Sequence, residues 1–304
     1  MKNHNQLILV LTSVGLLPLS GVALPDYEAF ADATGSGGTS YTTGANLIGQ
    51  VNASGHAWFQ AGPGSNPQPT IAAGDLSIPG LFSTGGGQSA AFGGNGTSAR
   101  LNLSIGAGGI TSGTVYFSFA ARLTDLTGLS TSGVFWAGFN NAQGSQTTTP
   151  NTVVTRVVTR SAGVGAFNLG LDKSSGSASS FVWASGSFTT SDTLFLVGSY
   201  TFNPNTDDDV SQLWVNPDAS TFGAASAPGG FLSNSTGGDI ARVASFVLYD
   251  RNAAEPAAGM IDDVRFGLSW ADVTPTVPEP SSLALALLGL GALRGRLGRR
   301  GLCV

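Results

Sequence analysis

Glycoside hydrolysis needs two carboxylates flanking one bond, about 5–10 Å apart. The only glutamates are Glu28, Glu255 and Glu279, far apart in sequence. Asp207 and Asp209 could share a face. They sit, however, in Asn203-Pro204-Asn205-Thr206-Asp207-Asp208-Asp209, a run with turn chemistry in which acids are usually solvated. A nucleophilic triad needs a histidine base. His4 lies ahead of an apolar N-terminal run, and His56 has no Gly-x-Ser-x-Gly elbow beside it. Two histidines and one cysteine exclude a zinc site by count. Gly85-Gly86-Gly87 and Gly93-Gly94 lack the strand-to-helix setting of a phosphate loop. Sugar binding remains open. It needs an exposed aromatic platform with a few polar groups on a concave surface. Of the five tryptophans, Trp58, Trp136 and Trp214 are the candidates; a core role for each is the competing reading. Trp214 points opposite to Leu213 and Val215, so one of those two faces is the outer one.

Such residues must be carried by strands. The chain has 304 residues, 44 of them glycine, with only two lysines; helix formers are scarce and turns should be many. A content of 41% hydrophobic and 9% aromatic residues is enough for a core. Leu101, Leu103 and Ile105 alternate with polar neighbours. So do Val115, Phe117, Phe119, Ala121 and Leu123, and then Phe167, Leu169 and Leu171. Residues 193–202 are nearly all apolar and read as a central strand. The turn at 203–209 returns the chain antiparallel through 210–216 as a hairpin. Residues 241–249 and 260–267 close the domain. About eleven strands, with no amphipathic helix beyond two turns, predict an all-β protein, an antiparallel β-sandwich.

The two ends read as addresses. Lys2, the apolar stretch 7–19 and Gly21-Val22-Ala23 form a signal peptide cleaved after Ala23. At the other end Val277-Pro278-Glu279-Pro280 is followed by an uncharged Leu/Ala run, residues 283–293, and by Arg294, Arg296, Arg299 and Arg300. The prolines keep the chain extended. A helix over 281–297 would span roughly 25 Å at about 1.5 Å per residue, with Arg294 and Arg296 snorkelling to the interface. This is a short transmembrane helix whose arginines mark a cytoplasmic end. The expected organisation is therefore 1–23 signal peptide, 24–276 sandwich and 277–304 sorting tail. The ends hold five of the 13 basic residues and all 18 acids lie between Asp26 and Glu279, so the exported part stands near −10. That argues against nucleic acid or anionic lipid as a partner. No cysteine precedes Cys303, so no disulfide framework exists.

The tail resembles the PEP-CTERM sorting signal, in Val277-Pro278-Glu279-Pro280, the apolar run and the arginine cluster, in that order. The resemblance implies recognition by an exosortase, a membrane transpeptidase. It also implies transient anchoring in the inner membrane and delivery to the cell surface or exopolysaccharide matrix of a Gram-negative bacterium. A second resemblance lies in Tyr27-Glu28-Ala29-Phe30, Val115-Tyr116-Phe117-Ser118-Phe119, Leu213-Trp214-Val215-Asn216-Pro217, and Ile261 to Gly267 with Trp270-Ala271-Asp272-Val273. These pieces are similar to the concanavalin A-like (laminin G-like) jelly roll. This implies two curved antiparallel sheets and fixes no activity, since the fold hosts lectins, hydrolases and inert modules. Hydrolases on it carry Glu-x-Asp-x-Glu along a strand, and no such motif occurs here.

In many sandwiches of that class a cation clips the first strand to the last. Here Glu28 lies in the first strand and Asp262 in the last, each interrupting an apolar segment. Alternation puts Asp262 on the buried face with Met260, Val264 and Phe266, where a carboxylate needs a partner or a metal. A structural Ca²⁺ held by Glu28 and Asp262 is the resulting expectation. The competing one is that Asp262 accepts backbone N–H bonds or pairs with an arginine while Glu28 is exposed. The expected function is that of a non-catalytic, exosortase-sorted surface or matrix protein. A lectin-like module that binds extracellular polysaccharide is the alternative, and a glycoside hydrolase stands behind it.

Overall fold

The structure, a computed structural model, describes residues 24–30, 41–51, 57–64, 67–84, 87–103, 108–251 and 253–277. Numbered in chain order, its strands form two eight-stranded antiparallel sheets. The first runs β14 (Leu232–Asn234), β13 (Val210–Val215), β12 (Leu194–Phe202), β6 (Gly113–Asp125), β16 (Ala258–Gly267), β4 (Gln88–Phe92), β3 (Thr70–Ala73), with β1 (Asp26–Glu28) also on β16. The second runs β10 (Val182–Trp183), β9 (Ala166–Asp172), β8 (Val153–Gly163), β7 (Val134–Asn140), β15 (Ser245–Leu248), β5 (Ala99–Asn102), β2 (Trp58–Gln60), with β11 (Phe188–Thr189) on β9. One four-residue helix, α1 (Trp270–Val273), follows β16, capped by Ser269 and Asp272.

The sheets pack face to face through the alternating residues read from sequence. Val115, Phe117, Phe119, Ala121 and Leu123 of β6 and Phe167, Leu169 and Leu171 of β9 all lie in one core. Phe117 and Phe119 meet Phe139, Trp136 and Phe246 of the second sheet edge-on, at 5.0–5.7 Å between ring centroids, a favoured aromatic geometry. The 194–202/210–215 hairpin forms in the expected register, Leu196 opposite Val215 and Thr201 opposite Val210.

The expected eleven strands undercount the structure, which has sixteen among the described residues. β3 and β4 were not foreseen: β3 has only four residues, two of them alanine, and Gln88-Ser89-Ala90-Ala91-Phe92 has no β-branched residue. A feature with no counterpart in the sequence reading is a second, smaller apolar layer on the outer face of the first sheet. Leu81, Phe195, Val197, Trp214, Phe222, Trp270 and Val273 make it up. The expected signal peptide and transmembrane helix lie outside the described residues; among the described ones no helix is long and apolar enough to cross a membrane.

Gly198 sits between Phe117 and Leu213 in the first sheet. A Cβ there would lie 2.2 Å from Phe117 Cζ. Gly198→Ala should therefore overpack the core and lower stability by about 1–3 kcal/mol, read as a fall in the urea midpoint at unchanged slope. An unchanged midpoint would mean that the ring shifts freely.

Candidate functional site

The acids singled out by sequence do not meet. Asp263 adopts a φ of +54°, and the pairing of β16 with β6 slips between Asp262 and Arg265. This is a β-bulge, whose extra residue inverts the facing of everything beyond it. Ile261, Val264 and Phe266 face the core. Asp262 turns outward, opposite Ala120, and accepts the Leu76 amide at 2.9 Å. Glu28 pairs with Val264 and so faces inward. There it accepts the Phe30 amide (2.8 Å), Tyr41 Oη (2.6 Å) and Trp58 Nε1 (3.2 Å). The calcium pair is corrected on geometry: Glu28 and Asp262 lie on opposite faces of one sheet. What clips the first strand to the last is a backbone ladder, Asp26 to Phe266, Tyr27 to Arg265 and Glu28 to Val264.

The tryptophan platform is corrected too. Trp58, Trp136 and Trp214 are 1%, 1% and 2% exposed. Trp58 and Trp136 belong to the main core, with Trp136 Nε1 donating to Thr159 Oγ1 at 2.7 Å. Trp214 does point outward from the sheet, as alternation required, but Trp270 packs on it at 5.1 Å and its Nε1 donates to the Pro228 carbonyl. Trp183 is half-buried, with the Arg160 guanidinium 4.1 Å over its ring. Of the sorting residues, Val277 is described and exposed, while Pro278, Glu279, Pro280, Arg294, Arg296, Arg299 and Arg300 lie outside the described residues, as does His56.

Two places remain. The first is an open cleft of about 340 Å³ at one end of the first sheet, lined among others by Thr111, Phe202, Asn203, Asn205, Thr206 and Asp239. Its wall is the β12–β13 turn, braced by acids. Asp209 accepts Tyr200 Oη and the Asn203 amide, both at 2.6 Å. Asp208 accepts Asn205 Nδ2 at 2.8 Å. Asp239 accepts the Asp208 and Asp209 amides and pairs with Lys173, whose side chain is fully buried. Burial works to raise the Asp239 carboxyl, but the Lys173 hydrogen bond and charge hold it below its usual range. Oxygens of Asp208, Asp209 and Asp239 lie within 4.8 Å of one another. The lysine and the backbone amides share that charge, so the cluster reads as a brace for the turn.

The second place is where the chain leaves the body. The Phe82 amide donates to the Pro275 carbonyl at 2.8 Å, Leu81 bridges Thr276, and the Gly223 amide donates to Thr274. Arg265 bonds the Phe82 carbonyl and, at 2.9 Å, that of Asp263, and its guanidinium lies 4.2 Å from the Tyr27 ring centroid. Tyr27 and Ser83 both donate to Asp263. The segment 81–84, β1, the bulge and residues 274–276 are thus one hydrogen-bonded assembly.

Residues 276–300 match the PEP-CTERM protein-sorting motif, the recognition signal for exosortase processing. The solved structures it resembles are jelly-roll or lectin-like β-sandwich domains. One is the receptor-binding domain of botulinum neurotoxin mosaic serotype C/D: TM-score 0.34, 11% identity, covering 81% of this chain and 51% of that one. Another is the Emp47p carbohydrate recognition domain: 0.33, 10%, 69% and 94%. A third is alginate lyase A1-II′ of polysaccharide lyase family 7: 0.33, 13%, 75% and 82%. The chain spans about half the length of the neurotoxin domains. At these scores none assigns a role to a residue here. No curated protein matches the chain.

Three buried carboxyls are raised chiefly by burial: Glu28 to about 7, Asp262 to about 8 and Asp250 to about 6. Unfolded, all three titrate near 4. Between that value and the raised ones the folded state binds more protons, so stability falls as pH rises through the window. Asp239, held low, acts only below it. The melting temperature should be higher at pH 5 than at pH 8, and Glu28→Gln should flatten the slope. A melting temperature that climbs from pH 5 to 8 would contradict this.

Proposed function

We propose that the chain is exported, sorted by an exosortase through a transient inner-membrane stage, and displayed on the cell surface or in an exopolysaccharide matrix as a non-catalytic domain. The sorting motif at 276–300 carries this reading. It begins at Thr276, the residue that makes the bridge to Leu81, so the address follows the folded body without a linker. The absence of catalysis is supported by the state of the acids. Asp209 and Asp239, the two that reach the cleft, are engaged by Tyr200, Lys173 and backbone amides, and they stand side by side. Glycoside hydrolysis asks instead for two carboxyls astride a substrate. Expressed in an exosortase-bearing host, the full chain should fractionate with the envelope or matrix. A chain lacking 277–304 should appear in the medium, soluble and with a strand-dominated circular dichroism spectrum. Envelope retention of the truncated chain would refute the reading.

One observation favours a lectin-like role within that frame. Asn203, Asn205 and Thr206 are exposed around the half-buried Phe202 at the cleft. An aromatic beside amides and hydroxyls in a concavity suits a sugar ring. Binding on a glycan array should be lost in Thr206→Ala at unchanged melting temperature, and in Phe202→Ala with a fall in melting temperature as well, since Phe202 also packs on the core and edge-on to Tyr200. An array with no binding by the wild-type chain removes this role and leaves the sorting reading intact.

A further inference from the structure

The large apolar side chains left exposed are not scattered. Phe82, Phe231, Leu268 and Val277 are 36%, 41%, 51% and 56% exposed, and each is tied by contact or by chain adjacency to the apolar layer outside the first sheet. Phe82 follows Leu81 of that layer and bonds Pro275. The Phe231 ring lies 5.3 Å from Trp214. Leu268 directly precedes the cap of α1, whose Trp270 and Val273 lie in the layer. Val277 follows Thr276. Val164, the remaining one among the described residues, lies between β8 and β9 in the other sheet. Apolar exposure gathered on one side marks a contact surface.

The connection to the tail fixes what that surface meets. Thr276 is held by Leu81, and the apolar run of the tail starts at Leu283. The intervening residues 277–282, even fully extended, reach at most about 20 Å. Wherever residues 283–293 enter a bilayer, the side of the sandwich that releases residue 277 is drawn close to its surface. The exported part, near −10, gains nothing from anionic headgroups. The contact is therefore apolar and imposed by the short tether.

We propose that the outer side of the first sheet, bearing Phe82, Phe231, Leu268 and Val277, lies against the lipid surface while the chain is anchored. This rests on the membrane stage of the sorting reading above. The test uses the full chain carrying Cys303→Ser, with one fluorophore attached through Phe82→Cys, Leu268→Cys or, as the reference, Val164→Cys. It is reconstituted into phosphatidylcholine vesicles bearing a nitroxide on the headgroup. Fluorescence should be quenched at positions 82 and 268 and retained at 164, and a long flexible Gly/Ser insertion after Val277 should restore it at both. Equal quenching at all three sites, or quenching at 164 alone, would overturn the orientation while leaving the sorting reading standing. Quenching that survives the insertion would overturn the tether as its cause. A chain that fails to float with the vesicles would overturn both. Quenching at 82 that appears only when exosortase is co-reconstituted would assign the surface to the enzyme and reject lipid.

Discussion

Asp263 sits at a φ of +54° in the middle of the last strand, and the rung it adds is not matched on β6. Aspartate is among the few residues other than glycine that enter this region at modest cost. The slip returns Val264 and Phe266 to the core, where they stand opposite Glu28 and Asp26 of β1. It also frees Asp262 and Arg265 for the outer side. Asp262 then holds Leu76, and Arg265 holds Phe82 and the Asp263 carbonyl. One inserted residue thus lets β16 fill the sandwich on one face and fasten the loops that cover the other.

The same economy appears in the charges. Residues 24–276 hold eight basic residues, and Arg100, Arg156, Lys173 and Arg265 among them are buried. Arg100, Lys173 and Arg265 each tie a loop to a sheet, and Arg156 ties β8 to β9. Arg100 reaches Gly144, Asn140 and Gln146; Arg156 reaches Asp172 and the Val153 carbonyl; Lys173 reaches Asp239 and Ser235. Breaking such a buried pair leaves an uncompensated charge, at a cost of about 3–5 kcal/mol. In a chain without disulfides these latches hold long, glycine-rich connections in place.

Strands with strict alternation were legible in sequence. β6 and β9 declare themselves by apolar residues two apart, and the β12–β13 hairpin by a nearly continuous apolar run ahead of a turn rich in Asn, Pro and Asp. The bulge was not, because alternation assumes that no residue is inserted. Its signal was the Asp262-Asp263 pair itself, two turn-prone acids inside an apolar strand. The tryptophans failed for a different reason. Alternation correctly sends Trp214 outward, but α1 and the loops around 81 and 222 cover that face, and no local pattern reveals such a cover. The cleft residues were read as a solvated turn. That was true of the backbone, but it gave no sign that residues 239–241, distant in sequence, would complete a wall beside them.

Both sheets are closed late in the chain. β15 stands between β7 and β5, and β16 lies between β6 on one side and β4 and β1 on the other. Everything that precedes residue 245 is therefore two sheets each split into two parts, with unpaired inner edges. Pairings this distant in sequence are slow to form. In a chain delivered N-terminus first, β1 must wait with its hydrogen bonds unmade until Val264 to Phe266 have come through. The domain reaches its final shape only once residues 258–267 are available, directly ahead of the sorting motif at 276–300, so closing the fold and presenting that motif are neighbouring events along the chain.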